Sequence, residues 1–258
     1  MLKFNEWCTS EDSEVGPHTL RVLSGDPANL EVGIDAIAAA VPTHYSAEEQ
    51  LTRVLERLGK PAAAEFVRGK LPTSKSIRSG DLGEILATEY IAEQATYDVP
   101  IKRLRWKDHR NMAMRGDDMI GIAQDPKTGR LKFLKTEAKS RVALSAGVVA
   151  EARASLDKDN GLPSAHALSF ISSRLFELGN NALADAIDDA QLKYGISPQN
   201  VKHLLFTFSG NSPAARLKAS LEAYGGAIPQ STIGVRVVEH ADFVAAVYDL
   251  VIASAYND

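Results

Sequence analysis

The first two dozen residues are mixed, with one short period-two run, Thr19–Leu23, that reads as a strand. From 28 to 40 the apolar positions are nearly continuous and predict a helix. Pro42 is expected to end it, because proline lacks the N–H and its ring clashes with the preceding turn. Ser46, followed by Glu48 and Glu49, has the form of a capping box and starts a helix that runs to about Leu58. A third helix is expected over Ala62 to Gly69. The polar stretch Pro72-Thr73-Ser74-Lys75-Ser76 then marks a boundary between a mainly helical N-terminal region, 1–72, and the remainder, 73–258.

The remainder alternates helical and period-two patterns. A helix is predicted from about Asp81 to Gln94, then strands at Val99–Trp106 and Asp118–Ala123. Asp125-Pro126-Lys127-Thr128-Gly129 is a strong turn signal, and a third strand covers Leu131–Lys139. Helices follow at 144–156, 164–178 and 181–193. Val201–Phe208 reads as a strand in which Leu204, Phe206 and Phe208 share one face. A helix at 213–223, a strand at 233–239 and a helix at 241–255 complete the chain. This order predicts an α/β fold with a mixed central sheet flanked by helices.

Composition narrows the setting. No apolar run approaches the roughly 18 residues that span a bilayer, and Met1-Leu2-Lys3-Phe4-Asn5-Glu6 lacks a signal-peptide layout. Cys8 is the only cysteine, which excludes an internal disulfide and a cysteine-based zinc site. A soluble, cytoplasmic protein without membrane association is expected. The net charge of -4 argues at first against a nucleic-acid partner, but residues 102–141 hold 12 Lys/Arg against 5 Asp/Glu. Lys102, Arg103, Arg105, Lys107, Arg110 and Arg115 form the densest part, and Arg141 closes the stretch. A phosphate-binding face for DNA is one reading; a solvated basic strand edge is the other.

The chemistry centres on Glu137-Ala138-Lys139. Side chains two apart on a strand project together, so Glu137 and Lys139 share a face. Asp118 lies one hairpin away, at the entry of the partner strand, and the 125–129 turn can bring it close to Glu137. Two carboxylates aimed at one point repel unless a cation lies between them, and a hard cation such as magnesium resolves the conflict. Manganese is expected to substitute. Lys139 would then orient a water or offset charge on a phosphate. Glu84 is the fourth candidate. Its spacing from Asp81 is that of a capping box, but it shares a helical face with Ala87, Thr88 and Ile91, an apolar setting that favours a role in the site. Asp117 beside Asp118 is expected to be solvated or to support its neighbour.

Glu84 in a Gly-Glu helix, Asp118 before an apolar strand, and Glu137-Ala138-Lys139 resemble the PD-(D/E)xK nuclease superfamily. The longer segments Gly80–Leu86, Arg115–Gly121 and Lys135–Ser140 resemble HamA, the nuclease subunits of the Hachiman anti-phage defence system. The resemblance implies a restriction-endonuclease-like core over 73–258 with a helical insertion near 160–195. It also implies a magnesium-dependent deoxyribonuclease with Glu84, Asp118 and Glu137 as metal ligands and Lys139 as the catalytic lysine. The implied partners are DNA and a superfamily 2 helicase of the HamB type. The chain departs from the superfamily pattern where Asp117 replaces the proline before the first aspartate, which leaves the choice between the two aspartates open. A stand-alone restriction or repair nuclease, and an inactive DNA-binding subunit, are the rival readings. The helicase contact is expected either on the stripe Ile34, Ile37 and Val41 or on the helices between 164 and 193; the stripe could equally pack on the chain's own core.

Overall fold

A computed structural model describes residues 2–114 and 116–257. Among these, the strands are β1 (Cys8–Val15), β2 (His18–Gly25), β3 (Met119–Gln124), β4 (Leu131–Arg141), β5 (Val201–Ser209) and β6 (Gln230–Arg236). They form one sheet in the order β1-β2-β6-β5-β4-β3. The inner neighbours β2, β6, β5 and β4 run parallel, while β1 and β3 pair antiparallel at the two edges. The α/β class with a mixed sheet flanked by helices is therefore present.

The helices are α1 (Leu30–Tyr45), α2 (Glu48–Leu58), α3 (Lys60–Lys70), α4 (Lys75–Gln94), α5 (Ala146–Asp157), α6 (Ala165–Glu177), α7 (Asn181–Asp188), α8 (Ala214–Glu222) and α9 (His240–Asn257). The alternation along β5 sorts them into two layers. Leu204, Phe206 and Phe208 enter one core with Ile37 of α1, Ile85 and Leu86 of α4, and Val247 and Tyr248 of α9. Leu205 faces the other way, toward Val149 of α5 and Leu217 of α8. Val201 joins Phe133, Ile120 and the helices α6 and α7 in a third cluster. Among the described residues no helix is long and apolar enough to cross a membrane.

Several elements differ from the sequence reading, each for a physical reason. β1 was not expected, because all but its terminal residues are exposed and its interior, Thr-Ser-Glu-Asp-Ser-Glu, is polar on both faces. Residues 99–106 do not form the expected strand. Asp98 makes an isolated bridge to Ile122, and a 3-10 turn then covers Arg103–Trp106. Pro100 has no N–H to continue a ladder, and the basic side chains that follow bond to neighbouring helices instead. α1 runs through Pro42 to Tyr45. Its last turn is held by buried tertiary bonds, His44 Nε2 to Glu89 at 2.8 Å and Tyr45 Oη to Asp81 at 2.6 Å. Ser46 consequently ends α1, and Ala47 stands at the N-cap of α2. α4 begins at Lys75, so Asp81 lies inside the helix and is not a capping residue.

The segment before residue 72 contributes β1 and β2 to the common sheet as well as α1, α2 and α3. Trp7 is 1% exposed and stacks on Phe243 of α9, ring centroids 5.6 Å apart. Ile37 and Val41 are fully buried, so the apolar stripe of α1 packs on the chain's own core and does not face a partner. Large apolar side chains do stand exposed elsewhere: Phe176 and Leu178 at the end of α6, and Leu192 and Tyr194 in the π-helical segment Asp189–Tyr194 after α7.

Candidate active site

Glu84, Asp118, Glu137 and Lys139 come from three elements and meet beside β4. β3 and β4 pair with Met119 opposite Thr136. The next position outward sets Asp118 against Glu137, and the Asp118 carboxylate locks this arrangement by accepting the Ala138 N–H at 2.8 Å through Oδ2. Lys139 Nζ donates a short bond to Glu137 Oε1, the contact that a two-residue spacing on a strand predicts. α4 reaches the same place because Gly83 lets it approach β4 closely. A Cβ at Gly83 would lie 3.0 Å from the Cβ of Ser140. Glu84, the next residue, is thereby carried to the carboxylate cluster.

The group between the acids is Arg103. Its Nε and Nη2 grip both oxygens of Glu84 at 2.9 and 3.1 Å, and Nη2 also reaches Asp118 Oδ1 at 3.1 Å. Nη1 donates to the Asp117 carbonyl at 2.6 Å. Arg103 is 10% exposed, and the Glu84 and Asp118 side chains 16% each. Burial alone would lower the guanidinium's affinity for its proton, but Glu84, Asp118 and Glu137 together hold it above its ordinary value. Asp118 is pushed well above the usual carboxylate range, by burial first and then by Glu84 and Glu137, with Arg103 opposing. In all, the three carboxylates of Glu84, Asp118 and Glu137 face two cations, Arg103 and Lys139.

In kind, these donors fit a hard divalent cation: they are carboxylate oxygens, close together and under-neutralised. They do not form a ready-made shell. Among the described residues no three His, Cys, Asp or Glu side chains converge on one ion position. Arg103 lies between Glu84 and Asp118, while Lys139 holds Glu137.

Asp117 is neither solvated nor part of the cluster. Its Oδ2 accepts the Ser164 N–H at 2.8 Å, next to the start of α6, and Oδ1 lies 3.6 Å from the buried Lys135 amine. It supports the loop that presents Asp118.

The basic stretch is mostly engaged within the fold. Lys102 bonds to Thr43 Oγ1 and Glu89, Arg105 to the Thr43 carbonyl, and Lys107 to both oxygens of Asp81 while only 4% exposed. Arg110 is half-buried near the Arg68 carbonyl. Arg141 is exposed at the end of β4, with one bond to the Ser140 carbonyl. Arg115 lies outside the described residues. A cleft of about 400 Å³ opens beside the cluster, lined among others by Arg103, Asp118, Met112 and His166.

A sequence profile described as HamA matches residues 2–251. The chain belongs to the HamA family. A relative named Hachiman protein HamA, from Bacillus cereus, is 26% identical over 252 residues, covering 95% of this chain and 89% of the relative. For this HamA-family chain, sequence reasoning missed Arg103 as the partner of Glu84 and Asp118. No local spacing signals that pairing, since Arg103 is 19 residues from one acid and 15 from the other.

Proposed function

We propose that this HamA-family chain is a metal-dependent DNA endonuclease, the nuclease subunit of an anti-phage defence complex controlled by a superfamily 2 helicase of the HamB type. The observation that carries the reading is the gathering of Glu84, Asp118 and Glu137 with Lys139 at one end of β4, where Arg103 bridges Glu84 and Asp118 and Lys139 holds Glu137. Acid, acid and amine in one half-buried cluster are the parts that phosphodiester hydrolysis needs. The relative's name, Hachiman protein HamA, supports the setting.

On this reading Asp118, Glu137 and Glu84 hold magnesium, or manganese in its place. The ion when bound supplies Lewis acidity toward a phosphoryl oxygen and a more acidic water. The chain's own residues do the rest. The Ala138 N–H fixes the Asp118 carboxylate. Glu137 keeps the Lys139 amine at the cluster, where it orients a water or offsets charge on the phosphate. Arg141 and Arg110, the less committed of the basic side chains, are assigned to the DNA backbone. Exposed Phe176, Leu178, Leu192 and Tyr194 are assigned to the helicase contact.

The test is cleavage of plasmid DNA by wild type and Lys139→Ala, with magnesium and with EDTA. Cleavage is expected only from wild type with metal. Wild-type-like cutting by Lys139→Ala, or full activity in EDTA, would overturn the reading.

A further inference from the structure

We infer that Arg103 is a built-in stand-in for the divalent cation, and that loading of the site exchanges its guanidinium for the metal. The inference rests on the nuclease reading above and deepens it. Arg103 does not merely neighbour the acids. It takes both oxygens of Glu84 and one of Asp118, the same atoms a metal would need, with bond lengths of 2.9–3.1 Å. A guanidinium matches paired carboxylates through its planar fork, and none of its donors can accept a metal. Metal and Arg103 therefore compete for one set of oxygens.

Charge points the same way. Three carboxylates, Glu84, Asp118 and Glu137, face two cations, Arg103 and Lys139. With all three ionised, the state in which they bind a metal, one negative charge is left over. A divalent ion replacing the guanidinium leaves none, whereas one added beside it leaves the pocket positive and half-buried, which low dielectric penalises.

The surroundings permit the exchange without refolding. The 3-10 turn that carries Arg103 is pinned on both sides, by Lys102 to Glu89, Arg105 to the Thr43 carbonyl and Lys107 to Asp81. Asp118 Oδ2 stays tied to the Ala138 N–H. The backbone stays in place while the Arg103 side chain gives up its bond to the Asp117 carbonyl and moves into the 400 Å³ cleft beside it. Asp118 then presents its freed Oδ1 from a fixed position, and the carboxylates of Glu84 and Glu137 turn toward it to complete the set of oxygens.

The experiment is calorimetric titration of manganese chloride into the full chain, without DNA, for wild type, Arg103→Gln and Arg103→Lys. Circular dichroism and thermal melting accompany each protein. Removal of the competitor is expected to tighten manganese binding on the order of tenfold in Arg103→Gln. Arg103→Lys, which keeps the charge but cannot grip both acids, falls between. Without metal, Arg103→Gln should melt lower than wild type, and manganese should raise its melting temperature more than it raises the wild type's. Equal or weaker manganese binding by a folded Arg103→Gln would overturn the exchange and make Arg103 a residue that positions the ligands. If Arg103→Gln does not fold, the comparison of Arg103→Lys with wild type decides on the same criterion. Absence of manganese binding in all three proteins would instead bring down the metal-dependent reading itself.

Discussion

At the scale of single residues, the two adjacent aspartates separate by what they touch. Asp118 meets Arg103 and the Ala138 N–H inside the cluster, whereas Asp117 meets Ser164 and Lys135 behind it. Asp118→Asn, Glu137→Ala and Lys139→Ala should each lower cleavage by about 100- to 1000-fold, the usual effect of losing one positioned electrostatic group. Asp117→Asn should act on stability, because it weakens the compensation of Lys135, whose side chain is 1% exposed. A cost of about 1–3 kcal/mol is expected. Cleavage rates and thermal melts of the two Asp→Asn variants check this pair of expectations. A catalytic collapse in Asp117→Asn with an unchanged melting temperature would reverse the assignment.

At the scale of elements, α4 and α9 are both fastened to β4 near Ser140, and each contact makes a prediction. Gly83 stands against the Ser140 Cβ, so Gly83→Val should push α4 away from β4. Overpacking of this kind costs about 1–3 kcal/mol, and it displaces Glu84, so cleavage should fall more than stability accounts for. Cleavage measured well below the variant's own melting temperature separates the two effects. His240 opens α9, lies against Phe208 with ring centroids 4.3 Å apart, and bonds to Ser140 Oγ at 3.0 Å. Burial depresses its pKa from 6.5 to about 4. A histidine that resists protonation when folded binds fewer protons than it does unfolded. Its contribution is therefore complete above pH 6.5 and is lost as pH falls toward 4, up to about 3 kcal/mol. His240→Gln should flatten the pH dependence of urea stability in that window. An unchanged slope between pH 6.5 and 4 would assign the acid loss to other groups.

At the scale of the whole molecule, the N-terminal hairpin is part of the sheet. β2 lies parallel beside β6, and Trp7 fills the core between α1 and α9. Removal of residues 2–25 should expose the β6 edge and open a large cavity, and yield an aggregating product in place of a folded shorter chain. Soluble expression and size-exclusion profiles of that truncation test it; a monodisperse, cleaving product would show the hairpin to be dispensable. The proposed helicase control belongs to this scale too. Co-expression with a superfamily 2 helicase of the HamB type should give a stable complex whose DNA cleavage depends on ATP. Phe176→Ser with Leu192→Ser should weaken the complex while leaving the melting temperature nearly unchanged, because both side chains are exposed. Cleavage by the isolated chain as fast as by the complex would end the control hypothesis.

The sequence by itself determined the elements whose signals are local. The period-two runs at Leu131–Lys139 and Val201–Phe208, the 125–129 turn and the helices after residue 144 all reappear, because alternation and turn chemistry depend on near neighbours. The sharing of a face by Glu137 and Lys139 was legible for the same reason. Tertiary structure alone decided the rest. β1 carries no apolar alternation and exists because β2 offers it a partner edge. Residues 99–106 read as a strand, yet Pro100 and the pull of Thr43, Glu84, Glu89 and Asp81 on the basic side chains hold them out of the sheet. α1 passes Pro42 because bonds to Glu89 and Asp81, far along the chain, hold its last turn. The role of Arg103 was likewise invisible from spacing. A basic residue in a charged run reads as solvated until the fold brings two acids, one from a helix and one from a strand entry, within reach of one guanidinium, and burial then makes that pairing strong.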